Sequence, residues 1–212
     1  MTNKEHIEKV IKDTFEIIKQ VYANQQEKDG LKGPENGSRI IFPKKRKNGN
    51  KKEETFETRV SEQELRFIFV EQLNKEIGEE GKNWDVYYSV ETSTLDSYYF
   101  KGENPDRKDG GQSANFDLVI HGSNFKRIAL IEFKANNPVE HEYKKDFAKL
   151  NNEKEGDELL RYFIEIVKTS KKCTYKNIHG KIKRLESIFR CYSLDGDNKK
   201  TYDFCLAPLE LY

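Results

Sequence analysis

The chain has 212 residues, of which 35% are apolar and 35% are charged, and its formal net charge is +1. The charged share exceeds the roughly 25% usual for soluble domains, which predicts a globular core with a heavily solvated surface. Because 38 basic and 37 acidic side chains nearly cancel, a global positive field for a polyanion is excluded, and any nucleic-acid surface must be local. The three cysteines share no CxxC spacing, which argues against a disulfide framework or a zinc knuckle.

The start of the chain, MTNKEHIEKV, lacks the apolar run of a signal peptide. No stretch approaches the roughly 18 apolar residues of a membrane span, so we expect a cytoplasmic protein without a membrane partner. Apolar residues recur at helical spacing over 3–23, which predicts an amphipathic helix. Residues 24–58 are predicted to be a long connection, in which the run KKRKNGNKK at 44–52 is either a nucleic-acid contact or a solvated loop. The domain boundary is placed near residue 58, so that 1–58 precede a main domain over 59–212.

The main domain is predicted to open with a helix, because Ser61 and Glu64 have capping-box spacing and Gly78 is a helix stop. Strands are predicted at 86–90, 116–121, 128–133, 162–167 and 202–206. Helices are predicted at 140–150 and 178–189, between the later strands. A meander followed by a right-handed helical crossover predicts an α/β fold with a central mixed sheet flanked by helices.

Charged residues interrupt two of these strands where burial would favour apolar ones. Asp117 lies in NFDLVI, and Glu132 and Lys134 stand two apart in ALIEFKA, so both project from one face of their strand. The short turn HGSNFKR makes the two strands antiparallel neighbours, which brings Asp117 close to Glu132. Two carboxylates this close repel unless a divalent cation lies between them, and Mg²⁺ prefers such oxygen ligands. Lys134 would then orient the attacking water or stabilise charge on a phosphorane, so the pattern predicts phosphodiester hydrolysis.

This pattern resembles the PD-(D/E)XK nuclease superfamily, which includes restriction endonucleases, over residues 61–206. The matching residues are Asp117 and the run Glu132-Phe133-Lys134, and the order of helices and strands is also similar. One departure is that no proline precedes Asp117. The resemblance implies a restriction-endonuclease-like core, Mg²⁺ or Mn²⁺ as cofactor, nucleic acid as substrate with DNA favoured, and a role in restriction or phage defence. A homodimer is considered because cutting both strands of a duplex calls for two sites.

The family often adds a glutamate from its first helix to the metal site, and two positions compete for this role. Glu62 shares the apolar face of the predicted helix and is preferred as the metal ligand. Glu64 points off that face and has the capping role, but it stays open as the alternative.

Polar residues near the motif are candidate contacts to the substrate backbone. They comprise three lysines of the predicted helix, two residues after the motif strand and three in the polar loop GGQSANFD: Lys144, Lys145, Lys149, Asn136, Asn137, Gly111, Ser113 and Asn115. For Glu132 and Lys134 alone, a surface ion pair would be the simpler interpretation. The alternative function is a catalytically silent nuclease-fold protein that binds nucleic acid or protein.

Overall fold

The chain adopts an α/β fold with a mixed sheet and three α-helices among the residues described. The structure is a computed structural model that describes residues 1–26, 38–46, 56–59, 61–78, 83–99, 106–107, 111–136, 139–168, 190–194 and 202–208. Two compact units are formed, Met1–Lys82 and Asn83–Tyr212. This division follows the packing of residues within each unit. The domain boundary near residue 58 stays a prediction. None of the described helices combines the length and the apolar character that crossing a bilayer requires.

The N-terminal unit contains two helices and a small hairpin. Helix α1 spans Asn3–Gln26 and α2 spans Glu62–Gly78, and α1 packs on α2. Both bury the apolar face that the helical spacing predicts. Strand β1 (Lys44–Arg46) pairs antiparallel with β2 (Phe56–Thr58), so the predicted long connection over 24–58 contains a strand pair that the sequence analysis does not predict. The pairing segments KKR and FET lack alternating apolar residues, and their strand pairing therefore leaves little trace in the sequence. Residues 47–52 of the basic run lie outside the described residues.

The second unit is built on one sheet. Its strands are β3 (Val86–Tyr99), β4 (Asp106–Arg107), β5 (Gln112–Gly122), β6 (Arg127–Ala135), β7 (Leu160–Lys168), β8 (Arg190–Leu194) and β9 (Tyr202–Pro208). They lie in the order β4-β3-β5-β6-β7-β9-β8, so the four longest strands are adjacent. Strands β3, β5 and β6 are antiparallel neighbours, whereas β7 runs parallel to β6.

The crossover between the two parallel strands is α3 (Glu140–Leu150). A parallel pair requires such a connection, because a tight turn can join only antiparallel strands. The meander, the crossover helix and the strand that follows it therefore agree with the sequence prediction. The helix predicted at 178–189 lies outside the described residues.

Strands β3 and β5 extend farther than their apolar cores predict. Ser113 pairs with Ser97 and Asn115 with Ser93, so the segment GGQSANFD is largely strand. The prediction that these residues form a polar loop is wrong. Because this extension has no alternating apolar pattern, backbone pairing between β3 and β5 defines it, and a periodicity search does not find it.

Aromatic packing fixes α3 against the sheet. The rings of Tyr143 and Phe147 lie 5.7 and 5.0 Å from the ring of Phe163 on β7. The buried Arg161 guanidinium donates to the backbone carbonyls of Leu150 and Asn152, where α3 ends. This packing directs the polar residues of α3 toward the neighbouring strand β6.

Candidate functional site

An open cavity of about 430 Å³ is bounded by β3, β5, β6 and α3. Its lining includes the three motif residues Asp117, Glu132 and Lys134, together with Asp146 and Lys149 of α3. Among the described residues that line it, four are carboxylates, with Glu91 of β3 as the fourth, and three are ammonium groups. This part of the cavity is therefore strongly polar, and its negative groups outnumber its positive ones by one.

Asp117 and Glu132 come together because β5 and β6 are antiparallel neighbours. Leu118 pairs with Ile131, so the next position of the ladder places Asp117 opposite Glu132. Residues directly opposite each other in such a pair point to the same face of the sheet. The Asp117 Oδ2 atom accepts a hydrogen bond from the backbone N–H of Phe133 at 2.7 Å. This bond holds the Asp117 carboxylate against β6, beside Glu132.

Glu132 lies at the buried end of the cavity, with only 2% of its surface exposed. Its Oε1 atom forms an ion pair with the ammonium of Lys149. Burial is the main cause that raises the pKa of Glu132 well above its ordinary value, and the negative charges of Asp146 and Asp117 add to it. Lys149 opposes this rise without cancelling it.

Lys149 responds to the same surroundings. Burial lowers the pKa of its ammonium, but the carboxylates of Glu132 and Asp146 outweigh that effect, so the pKa lies above its ordinary value. The two shifts have different causes, because burial raises the pKa of Glu132 whereas the neighbouring carboxylates raise that of Lys149.

A chain of alternating charges connects α3 to β6. The Lys149 ammonium lies 3.1 Å from Asp146 Oδ1, and the Lys134 ammonium lies 2.9 Å from Asp146 Oδ2. With the pair of Lys149 and Glu132, the order is Glu132, Lys149, Asp146, Lys134. Glu132 and Lys134 stand two apart on β6, and α3 pairs with both of them. Lys149 contacts Glu132, and Asp146 contacts Lys134.

The donor set fits a magnesium ion better than it fits zinc. Within the described part of the chain, no three His, Cys, Asp or Glu side chains are grouped as a metal site. Mg²⁺ needs only one or two protein carboxylates, because waters and substrate phosphates complete its shell. Asp117 and Glu132 can supply these two, and the excess negative charge favours a divalent cation.

The candidate substrate residues have different positions. Ser113, Asn115 and Lys145 are exposed and line the cavity. Lys149 lines it too, but as a buried partner of Glu132 and Asp146, not as the solvent-facing lysine that the sequence suggests. Lys144 forms an ion pair with Glu140 one turn away, at 3.6 Å.

The remaining candidates have backbone roles or lie elsewhere. Asn136 has a φ of 68° and donates its N–H to Ile166 O at 2.7 Å, so it shapes the end of β6. A Cβ at Gly111 would lie 2.8 Å from Tyr98 O, which explains the glycine by close backbone approach. Asn137 lies outside the described residues.

The helix glutamates belong to the N-terminal unit. Glu64 accepts a hydrogen bond from Ser61 Oγ at the start of α2. This contact joins two side chains, so the capping of backbone amides by Ser61 and Glu64 stays a prediction. Glu62 is the first residue of α2, and its part in the metal site stays a prediction.

Two carboxylates of the cavity, Asp146 of α3 and Glu91 of β3, are not predicted from the sequence. The only signal for Asp146 is the i, i+3 spacing of Asp146 and Lys149, which places the two side chains on the same side of α3. That spacing alone predicts a surface ion pair, and burial against β6 is what gives the pair its place at the cavity.

Comparisons with known proteins do not assign the chain to a family. No family model matches the chain, and neither a curated protein nor a solved structure is found to be similar to it.

Proposed function

We propose that the chain is a metal-dependent phosphodiesterase that cleaves nucleic acid, with DNA favoured, on a restriction-endonuclease-like core. The observation that supports this function is the convergence of Asp117, Glu132 and Lys134 on one cavity from two adjoining strands. Two carboxylates that lie this close repel each other unless a cation lies between them. A cation and a lysine beside it can stabilise the negative charge that develops on the phosphate during phosphodiester hydrolysis.

Each of the three residues has a separate task. Asp117 and Glu132 would hold Mg²⁺ or Mn²⁺, and the bound ion supplies Lewis-acid polarisation of the phosphate. Water forms a bond to phosphorus while the bond to the leaving ester oxygen breaks, giving a phosphate monoester and a hydroxyl group. The Lys134 ammonium stabilises the negative charge that builds up on the phosphate oxygens.

The substrate backbone would bind along the exposed part of the cavity. Ser113, Asn115 and Lys145 line that part and offer hydrogen bonds and one positive charge to phosphates. A homodimer would provide the two sites that a double-strand break requires, and a role in restriction or phage defence is consistent with such an activity.

A second candidate is a nuclease-fold protein that binds nucleic acid or protein without cleaving it. The ion pair between Lys149 and Glu132 favours it, because a carboxylate neutralised by the protein's own cation has less need of a metal. This candidate keeps the cavity as a binding surface and has no turnover.

Cleavage of labelled duplex DNA by the purified chain, with Mg²⁺ and with EDTA, separates the two candidates. We expect Mg²⁺-dependent cleavage by the wild type that is lost in Asp117→Asn, while DNA binding is retained. Asparagine keeps an oxygen that can accept the Phe133 N–H, so the strand pair stays intact. Lys126→Met, in the exposed turn between β5 and β6, is a control that should cleave at the wild-type rate.

Two results would contradict the proposal. Cleavage that survives EDTA or persists in Asp117→Asn would mean that the cavity is not the active site. Binding of DNA or RNA without any cleavage in Mg²⁺ or Mn²⁺ would favour the second candidate.

A further inference from the structure

Lys149 has a position that the proposed reaction does not use. Its side chain is 4% exposed, and its ammonium contacts Glu132 Oε1, Asp146 Oδ1 at 3.1 Å and Asn115 O at 2.9 Å. An ammonium has three N–H donors, and here three oxygens surround it. The charge is therefore held inside the cavity by contacts on α3, β5 and β6.

An aromatic ring also lies near the Lys149 ammonium. The Lys149 ammonium lies 5.8 Å from the centre of the Phe116 ring on β5, which adds a cation–π contact. The neighbouring α3 residue Leu150 is fully buried. Lys149 is thus a built-in cation of the site and differs from a flexible surface lysine.

We propose that Lys149 competes with the divalent cation for Glu132, so that metal binding requires its ammonium to move off Glu132 while it stays on Asp146. This inference rests on the proposed function in one respect, namely that Glu132 is a metal ligand. It adds that the chain sets its own metal affinity through a residue outside the motif.

Electrostatics supports the competition. An ammonium and a divalent cation on the same carboxylate repel each other strongly, because screening by water is weak at a buried site. The metal must therefore overcome the existing ion pair before it gains Glu132 as a ligand. The apparent affinity for the metal is lower than the carboxylates alone would give.

Asp146 lowers the free energy needed to move the Lys149 ammonium off Glu132. A buried ammonium without a partner is strongly destabilising, so a lysine held by Glu132 alone would resist displacement. The contact with Asp146 Oδ1 at 3.1 Å keeps Lys149 paired when Glu132 is taken. Asp146 also holds Lys134 at 2.9 Å, so the same carboxylate keeps both ammonium groups at the cavity.

Calorimetric titration of the full chain with MgCl₂ and with MnCl₂ tests the inference directly. Lys149→Met removes the charge and keeps a side chain of similar length on Phe116. We expect this variant to bind the metal at least about tenfold more tightly than the wild type, because one repulsive charge is gone. Its melting temperature should also rise more on adding metal. Lys126→Met, in the exposed turn between β5 and β6, should bind metal as the wild type does.

A control variant locates the ion. In Lys149→Met combined with Glu132→Gln, the tightened binding should disappear. A wild-type affinity or a weaker one in Lys149→Met, or no binding in either protein, would overturn the inference, since a merely structural lysine would give these results. If Lys149→Met does not fold without metal, Lys149→Gln replaces it. Added Mg²⁺ should then restore folding of the Met variant, and failure to do so counts against the competition.

The two proposals fail separately. Tighter metal binding by Lys149→Met without DNA cleavage by the wild type would keep the competition and remove the nuclease function. Metal-dependent cleavage with no change in metal affinity in Lys149→Met would do the reverse.

Discussion

Two glutamates of the second unit are almost equally buried, yet their surroundings differ. Glu132 is 2% exposed and Glu155, in the 3-10 turn after α3, is 1% exposed. Glu155 accepts hydrogen bonds from the backbone N–H groups of Leu95 and Asp96, at 2.8 and 3.1 Å. It also forms an ion pair with Arg127 at 2.8 Å.

Glu132 instead has an ammonium and two further carboxylates around it. The directional donors on Glu155 stabilise its charge and tie β3 to the turn after α3, as buried polar groups normally require. The carboxylates around Glu132 destabilise its charge. Burial alone therefore does not identify a functional acid, and the kind of neighbour does.

The largest effect is expected when Glu132 is changed to Gln. Cleavage of DNA in Mg²⁺ should fall by at least about 10³-fold, because a metal ligand is lost. The free energy of unfolding without metal should stay within about 1 kcal/mol of the wild-type value, because relief from the neighbouring carboxylates offsets the lost ion pair with Lys149. Single-turnover rates and denaturant titration measure the two quantities, and a strongly destabilised variant with normal cleavage would break the comparison.

The same substitution at Glu155 should have the opposite effect. Glu155→Gln removes the charge that pairs with Arg127, and we expect the free energy of unfolding to fall by about 3 kcal/mol. The folded fraction should cleave DNA at the wild-type rate, since the residue is not part of the cavity lining. Denaturant titration checks the first expectation, and a variant as stable as the wild type would contradict it.

A smaller loss is expected for Lys134→Met. Cleavage should fall by about 10²-fold because the ammonium no longer stabilises charge on the phosphate. Metal affinity should be retained, since Lys134 pairs with Asp146 and is not a ligand. Rates and calorimetry on the same preparation separate these effects. Loss of metal binding with this variant would mean that Lys134 acts by holding the acids in place.

The smallest change is expected at the exposed side of the cavity. Lys145→Ala should weaken DNA binding a few-fold and lower the slope of log affinity against log salt by about 1, as for one lost phosphate contact. The exposed Lys126, on the turn between β5 and β6, is a matched control whose replacement by Ala should leave the slope unchanged. Equal slopes in Lys145→Ala and the wild type would remove Lys145 from the substrate surface.

The centre of the fold could be predicted because its segments are rich in apolar residues. FDLVIH, IALIEF and YFIEIV lie in β5, β6 and β7, whose burial stabilises the sheet. The β1–β2 hairpin and the outer parts of β3 and β5 could not be predicted in this way. They are mostly polar, and their strand conformation depends on pairing with a second strand.

The candidate site likewise has one part that the sequence predicts and another that depends on tertiary packing. A single short turn joins β5 to β6, so the approach of Asp117 to Glu132 follows from local sequence. The position of Lys149 depends on how α3 packs, which Tyr143 and Phe147 set through their contacts with Phe163. Helical spacing predicts that Asp146 and Lys149 lie on one side of α3, but it does not predict that β6 covers that side.

Calorimetric titration of the wild type and Glu132→Gln with Mg²⁺ measures whether Glu132 is a metal ligand. If Asp117 and Glu132 bind a common cation, the wild type should bind one ion per chain. Glu132→Gln should show no binding over the same range of Mg²⁺ concentration. Equal binding by both proteins would place the ion elsewhere and contradict the account.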